Sequence, residues 1–222
     1  MKKDLRASRT RKVATFVAAV VTAILAACSG AAAPTVDLAD RSIDPAVDQA
    51  VIKARALSAE LPQSYVAQGL LRERPLSRSV TVTKVISNDN GGTIEIPAAD
   101  FELEIPKGAL SAPSMTISVT ALPGAAVAYN FEPHGTQFLV PLEFVQRLTH
   151  TNLHSLKLPS DFQQDVSGVY FSDESLIDPA TGIAVVSEST PADVAGSLAN
   201  GRLTFPVWHF SGYMASTGRS RK

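Results

Sequence analysis

The residues with the clearest chemical potential lie near the end of the printed sequence. His209 and Ser211 flank Phe210, and residues two apart in an extended segment project from the same face. A serine hydroxyl is a weak nucleophile at neutral pH, and a neighbouring histidine can activate it as a base. The same spacing is also typical of an ordinary last strand, in which Trp208 and Phe210 would face the core. The sequence leaves both interpretations open.

Other catalytic patterns are weak. The sequence contains no Gly-x-Ser-x-Gly nucleophile elbow and no His-Glu-x-x-His metal motif. His150 and His154 have the spacing of a metal pair on a helix, but Pro159 follows closely and no third ligand is apparent. We interpret this segment as a solvated loop or short helix. We therefore expect no metal, no cofactor and no conventional enzymatic activity, although a single self-cleavage event stays open.

The first residues are typical of an export signal. Residues 1–27 combine a basic start with an apolar run from Val13 to Ala27 that is too short for a membrane-spanning helix. Cys28 is the only cysteine, which excludes an intramolecular disulfide. The run ends in Leu-Ala-Ala-Cys, which resembles the bacterial lipobox. The alternatives are a plain secretory signal with a free cysteine and an uncleaved membrane anchor.

The lipobox resemblance implies a location and a partner. Residues 1–27 would be a lipoprotein signal peptide, and Cys28 would carry the acyl chains that anchor the protein in a bacterial membrane. General secretion is expected because no Arg-Arg pair is present. Ser29 after the cysteine favours the outer membrane in a host that has one. From residue 28 onward acidic residues outnumber basic ones, which argues against a nucleic-acid partner.

Composition then divides the rest of the chain. Residues 28–43, rich in Ala, Ser, Thr and Pro, are predicted to be the lipidated cysteine and a flexible tether. Asp44 as a cap and Pro45 as the first helical residue predict a short helix that ends before Pro62. A basic linker would complete residues 44–79. It contains three arginines, which we interpret as solvated, with a patch for lipid head groups or an acidic partner as the alternative: Arg72, Arg74 and Arg78.

From Val80 onward the sequence is typical of short strands separated by turns. Phe101, Leu103 and Ile105 alternate with glutamates, so one face of that segment is expected in the core and the other in water. Several such strands predict an all-β fold, an antiparallel β-sandwich over residues 80–215. We expect this sandwich to fold without residues 29–78, and we expect a basic disordered tail over residues 216–222. The last strand is predicted to run from Arg202 to Tyr213.

Four motifs follow one another at characteristic spacings: Gly91–Pro97, Leu103–Leu110, Phe131–Phe138 with the following Val140-Pro-Leu142, and Trp208–Tyr213. Together they resemble the ZU5 domain, a β-sandwich found in ankyrins, netrin receptors, zonula occludens scaffolds and death-domain adaptors. The resemblance covers residues 80–215 and implies a ZU5-like fold, but the animal partners are not carried over. His134 lies in a Pro-His-Gly turn of the third motif, where we expect its ring to donate to a backbone carbonyl.

The resemblance also gives the tripeptide a specific chemistry. In some ZU5 domains a His-Phe-Ser sequence cleaves itself, while in others it is inert. By that resemblance Ser211 Oγ would attack the carbonyl of Phe210, His209 would orient or deprotonate the hydroxyl, and water would hydrolyse the resulting ester. Gly212 would let the backbone adopt the required geometry.

These observations predict a bacterial envelope lipoprotein with a non-catalytic structural or protein-binding role. Its partners would be the membrane, through Cys28, and an unidentified envelope protein or extracellular ligand. Self-processing between Phe210 and Ser211 is the alternative. A carbohydrate- or peptidoglycan-binding module is a weaker alternative, because only 6% of residues are aromatic and the sole tryptophan, Trp208, is expected to face the core.

Replacing Cys28 with Ala is expected to leave the signal uncleaved and to release the protein from the membrane once the signal is removed artificially. The reason is that each buried CH₂ of an acyl chain contributes about 0.8 kcal/mol to anchoring. Membrane fractionation and the mass of the N-terminal peptide measure both effects, with Ser29→Ala as the control. A Cys28→Ala protein that is processed and partitions like the wild type would disprove the lipid anchor.

Overall fold

The computed structural model describes residues 44–61, 63–153, 159–193 and 200–221. The predicted signal peptide, Cys28 and the predicted tether therefore lie outside the described residues. The described elements are one α-helix, α1 (Pro45–Glu60), two short 3-10 helices (Pro97–Ala99 and Glu174–Leu176), and these strands: β1 (Tyr65–Gly69), β2 (Leu71–Leu76), β3 (Val80–Ser87), β4 (Gly92–Ile96), β5 (Phe101–Ile105), β6 (Ser114–Ala121), β7 (Gly124–Ala126), β8 (Ala128–Glu132), β9 (Gln137–Arg147), β10 (Phe162–Gln163), β11 (Ser167–Phe171), β12 (Ile183–Val186), β13 (Glu188–Pro191), β14 (Arg202–His209) and β15 (Gly212–Ser220).

The strands form two main antiparallel sheets. The larger sheet has the order β12-β1-β15-β8-β6-β3, with β10 and β11 also paired to β15 and β13 paired to β11. The smaller sheet has the order β14-β9-β5-β4, and β2 and β7 form a separate ribbon. Side chains from both main sheets meet in one buried cluster. The predicted all-β antiparallel sandwich, preceded by a short helix, is therefore confirmed.

Aromatic rings fill the space between the two sheets. Phe101 of β5 stacks on Tyr129 of β8 with 4.1 Å between ring centroids, and Phe144 of β9 stacks on Phe205 of β14 at the same distance. Such pairs contribute about 0.5–1.5 kcal/mol each beyond the area that they bury. The predicted alternation in β5 is confirmed, because Phe101, Leu103 and Ile105 are buried and the intervening glutamates are not.

The hydroxyl of Tyr129 is also fully enclosed and belongs to a hydrogen-bonded network. It donates to Gln146 Oε1 at 2.6 Å, and Gln146 Nε2 donates to the carbonyl of Ala99 at 3.0 Å. Burial raises the pKa of Tyr129 from 10.0 to about 12, against the opposing effect of the nearby Arg72 guanidinium. A polar bond therefore joins the two sheets inside an apolar core.

Helix α1 covers the outer face of the larger sheet. Asp44 accepts a hydrogen bond from Ala46 N at 2.9 Å and Pro45 opens the helix, as the sequence predicts. Ala50, Val51 and Ala54 are its buried residues. They pack against side chains of β1, β10 and β12, namely Val66, Phe162, Ile183 and Val185.

The segment predicted as a basic linker is instead part of the sandwich. β1 lies inside the larger sheet between β12 and β15, and Leu70 is fully buried in the main core. A chain that begins at Val80 would lack this interior strand, so Val80 is not the boundary of the folded unit. This strand could not be recognised from the sequence, because β1 is covered on both faces and its apolar and polar residues do not alternate.

The predicted disordered tail also differs from the structure. β15 continues to Ser220, and Ser216 and Thr217 are buried. Ser216 Oγ donates to the carbonyl of Gln68 at 3.0 Å. Residues 216–220 therefore form the second half of a strand to which β1 and β10 are paired. The basic residues alone suggested a tail, but an exposed arginine such as Arg219 is compatible with a strand.

Tyr129→Phe is expected to lower the free energy of unfolding by about 1–3 kcal/mol at neutral pH, because Gln146 Oε1 loses its buried donor. The raised pKa of Tyr129 in the folded protein means that the unfolded chain loses this proton first. Wild-type stability should therefore fall as pH rises from about 10 to about 12, and the variant should fall less steeply. Urea unfolding at pH 7, 10 and 11 measures both effects, with Tyr170→Phe as the control. Equal alkaline slopes in wild type and variant would show that Tyr129 does not control this dependence.

Candidate functional site

The Phe210–Ser211 peptide bond lies where the chain crosses from one sheet to the other. β14 ends at His209 in the smaller sheet, and β15 begins at Gly212 in the larger sheet. The predicted single strand from Arg202 to Tyr213 is therefore wrong. Of the residues expected to alternate along one strand, Trp208 and His209 end β14, and Phe210 and Ser211 form the junction before β15.

The Phe210 side chain fixes this junction in the core. It is fully buried, as predicted, and its ring stacks on Phe131 and meets the edge of Phe138, with centroids 5.4 and 4.6 Å away. Its backbone N–H donates to the carbonyl of Thr136 at 2.8 Å, and its carbonyl accepts from Gly135 N at 3.0 Å. The turn that contains His134 therefore holds the peptide bond on one side.

Ser211 is buried beside that turn. Its Oγ lies 3.5 Å from His134 Nδ1, which is the long limit of a hydrogen bond. His134 Nε2 lies 4.0 Å from Glu132 Oε1. The backbone carbonyl of Ser211 accepts from Phe131 N at 3.0 Å. The Ser211 hydroxyl, the His134 imidazole and the Glu132 carboxylate thus lie next to one another in that order. This differs from our expectation that the His134 ring would donate to a backbone carbonyl.

His209 lies in a different environment. Its Nε2 is 3.1 Å from Glu188 Oε2 and 3.3 Å from the hydroxyl of Tyr213, and its ring meets the edge of Tyr170. Burial, followed by the charge of Glu188, raises the pKa of Tyr213 above its ordinary value. None of the hydrogen bonds found in the described residues joins His209 to Ser211. The expected pair on one strand face is separated because the strand ends at His209.

Trp208 points outward rather than into the core. It is 52% exposed, Leu139 is 68% exposed and Val140 is also exposed. Val207 is opposite Leu142 and His209 is opposite Gln137, with a register shift between them, so Trp208 faces the β9 segment that contains Leu139 and Val140. We call these three residues the Trp208 patch.

The remaining site expectations concern metals and membranes. His150 Nδ1 lies 2.7 Å from Asp100 Oδ2, and His154 lies outside the described residues. Within the described ranges, no three side chains are arranged to hold a metal ion. None of the helices in the described ranges has both the length and the hydropathy that crossing a membrane requires.

Comparison with known proteins adds no relative. No protein-family model matches the sequence, and no curated protein matches it.

Proposed function

We propose that this protein is a lipid-anchored protein of the bacterial envelope, whose ZU5-like sandwich is a non-catalytic protein-binding module. The Trp208 patch is the observation that carries this proposal. Tryptophan is enriched among the residues that dominate binding energy at protein interfaces. Leu139 and Val140 of the neighbouring strand β9 are also apolar and exposed, and grouped exposed apolar side chains mark interaction sites.

The surroundings of the patch favour contact through side chains. A shallow groove of about 440 Å³ includes Pro141 of β9 and Pro206 of β14, close to the patch in both strands. β14 is the edge strand of the smaller sheet. Pro206 lacks an N–H group, which disfavours the addition of a further strand to that edge. A partner would therefore bind on the outer face of β9 and β14 rather than extend the sheet.

Glu143 gives the same face a polar boundary. It lines the groove with Pro141 and Pro206. Burial and the charges of Glu104 and other neighbours raise the pKa of Glu143. A partner with a basic or hydrogen-bonding group beside an apolar anchor would complement this combination, because interface cores are apolar and their rims are polar.

A photo-reactive residue in place of Leu139 tests the proposal in the cells that produce the protein. We expect a defined protein adduct that is lost when Trp208→Ala is added, because removing a central tryptophan costs about 2 kcal/mol or more. The matched control is the same photo-reactive residue at Val85, which is 70% exposed on β3. Adducts identical at both positions, or unaffected by Trp208→Ala, would count against the proposal.

The same variants address the carbohydrate alternative. The exposed Trp208 removes one objection to it, since an exposed aromatic ring can contact a ligand. Sedimentation of the protein with purified peptidoglycan, abolished by Trp208→Ala in the absence of any protein adduct, would identify a carbohydrate-binding module instead.

Self-processing is the second candidate function, and the contacts of Ser211 favour it. The distance to His134 allows the hydroxyl to be deprotonated after a small adjustment, and catalytic hydrogen bonds are often long before reaction. Gly135 N–H already contacts the Phe210 carbonyl oxygen, where it would stabilise the negative charge that develops during attack. The described contacts favour His134 over His209 as the base.

The reaction balances without a cofactor. Ser211 Oγ bonds to the carbonyl carbon of Phe210 while its proton passes to His134 and then to the amide nitrogen. The C–N bond breaks, which leaves an ester at Ser211 and a free amine. Water then hydrolyses the ester to a Phe210 carboxylate and the Ser211 hydroxyl. The fragment that begins at Ser211 would stay in place, because β15 is paired with β1, β8, β10 and β11.

Intact mass measurement under denaturing conditions tests this candidate. Self-processing predicts two species that divide the chain between Phe210 and Ser211, and none from Ser211→Ala. His134→Gln should slow cleavage by about 10²–10⁴-fold, since it removes the base, whereas His209→Gln should cleave more nearly like the wild type. A single full-length mass from freshly made and aged wild-type protein would exclude self-processing.

A further inference from the structure

A polar pocket separate from the Trp208 patch and from Ser211 lies beside the network of Tyr129. It has a volume of about 210 Å³, and the residues that matter for its chemistry are Arg72, Arg74, Asp100, Gln146, His150 and Thr151. Two of the three arginines that the sequence suggested were solvated thus line one cavity. We call this cavity the Arg72 pocket.

Arg72 is almost completely buried. It is 6% exposed, and its Nη1 donates to the backbone carbonyls of Leu122 and Ala126. Its guanidinium carbon lies 5.3 Å from the centroid of the Tyr129 ring. Both other nitrogens, Nε and Nη2, are buried, and neither makes a hydrogen bond of good geometry within the described residues. The Tyr129 hydroxyl lies close enough to the guanidinium to oppose the rise of its own pKa, but it offers one oxygen for two donors.

This arrangement leaves a buried cation only partly compensated. The two carbonyls and the Tyr129 ring offset part of the cost of removing the guanidinium from water. None of the ion pairs within the described ranges includes Arg72. A buried guanidinium normally has an anionic partner, since its desolvation is costly.

The unpaired atoms also specify the shape of the missing acceptor. Nε and Nη2 lie on the same side of the planar guanidinium, where their two N–H groups are parallel. That pair matches two oxygens of a carboxylate or phosphate group in bidentate geometry. A single neutral carbonyl would satisfy only one of the two donors.

Charged side chains at the mouth complete the pocket. Arg74 is exposed and adds a second cation. His150 is held through Nδ1 by Asp100, so the Asp100 carboxylate already has a partner. Water reaches neither Nε nor Nη2. An anion therefore reaches these two donors only if side chains that line the pocket shift.

We propose that the Arg72 pocket binds a small oxyanion, a carboxylate or phosphate group, through Nε and Nη2 of Arg72, with Arg74 at its entrance. The cavity admits such a group and a small part of the molecule that carries it. This site does not depend on the proposed protein-binding or self-processing functions, because it shares no residue with the Trp208 patch or with Ser211.

Titration of the full-length protein in detergent with sodium acetate or inorganic phosphate, at constant ionic strength, tests the site. We expect the NMR signal of one arginine Nε–H group to shift saturably with at least one of the two anions. Saturation by acetate alone indicates a carboxylate ligand, and saturation by phosphate alone indicates a phosphate ligand. Saturation by both anions indicates a general oxyanion site. The absence of a saturable shift with either anion would overturn the proposal.

Variants of the pocket arginines distinguish anion binding in the pocket from non-specific anion binding. Arg72→Lys keeps the charge but removes the Nε and Nη2 pair, and it should weaken binding by about tenfold or more, because a bidentate charged contact is lost. Arg74→Gln changes an exposed residue and tests the site even where Arg72→Lys fails to fold. The matched control is Arg202→Lys, an exposed arginine outside the pocket. Wild-type affinity in Arg72→Lys or in Arg74→Gln would contradict the assignment of the corresponding arginine.

Discussion

The contact of Tyr129 with the smaller sheet is the constraint on which the sandwich depends. Its ring stacks on Phe101 and meets the edge of Phe144, while its hydroxyl bonds to Gln146. Because the hydroxyl is buried, it requires its acceptor, and this requirement fixes β8 relative to β9. The same ring lies under the guanidinium of Arg72. Tyr129 thus contacts both the hydrogen-bonded network of the core and the arginine that lines the Arg72 pocket.

The second constraint is the crossing from β14 to β15. Phe210 is anchored between the sheets, and its backbone N–H and carbonyl both bond to the turn between β8 and β9. This junction brings Ser211 next to His134, which is 77 residues away in the sequence. It also turns His209 towards Glu188. The chemistry available at the junction therefore follows from the position of one aromatic side chain.

Local signals in the sequence predicted the local structure well. The Asp44–Pro45 cap and the alternation in β5 correspond to hydrogen bonds and burial within a few residues. The sequence failed where distant elements decide the outcome. β1 is buried by α1 and by neighbouring strands, and Ser216 is buried by β1. The proximity of His134 to Ser211 carries no sequence signal except the conspicuous Pro-His-Gly turn.

Trp208 and Arg72 each depart from the degree of burial that is usual for their residue type. Tryptophan is usually well buried and arginine is usually exposed, but Trp208 lies on the surface and Arg72 lies in the interior. Exposing Trp208 forgoes the free energy that its burial would contribute, and burying Arg72 leaves two donors without a hydrogen bond of good geometry within the described residues. A partner surface would bury the first side chain, and an oxyanion would satisfy the second, so the two proposed binding events would offset both costs.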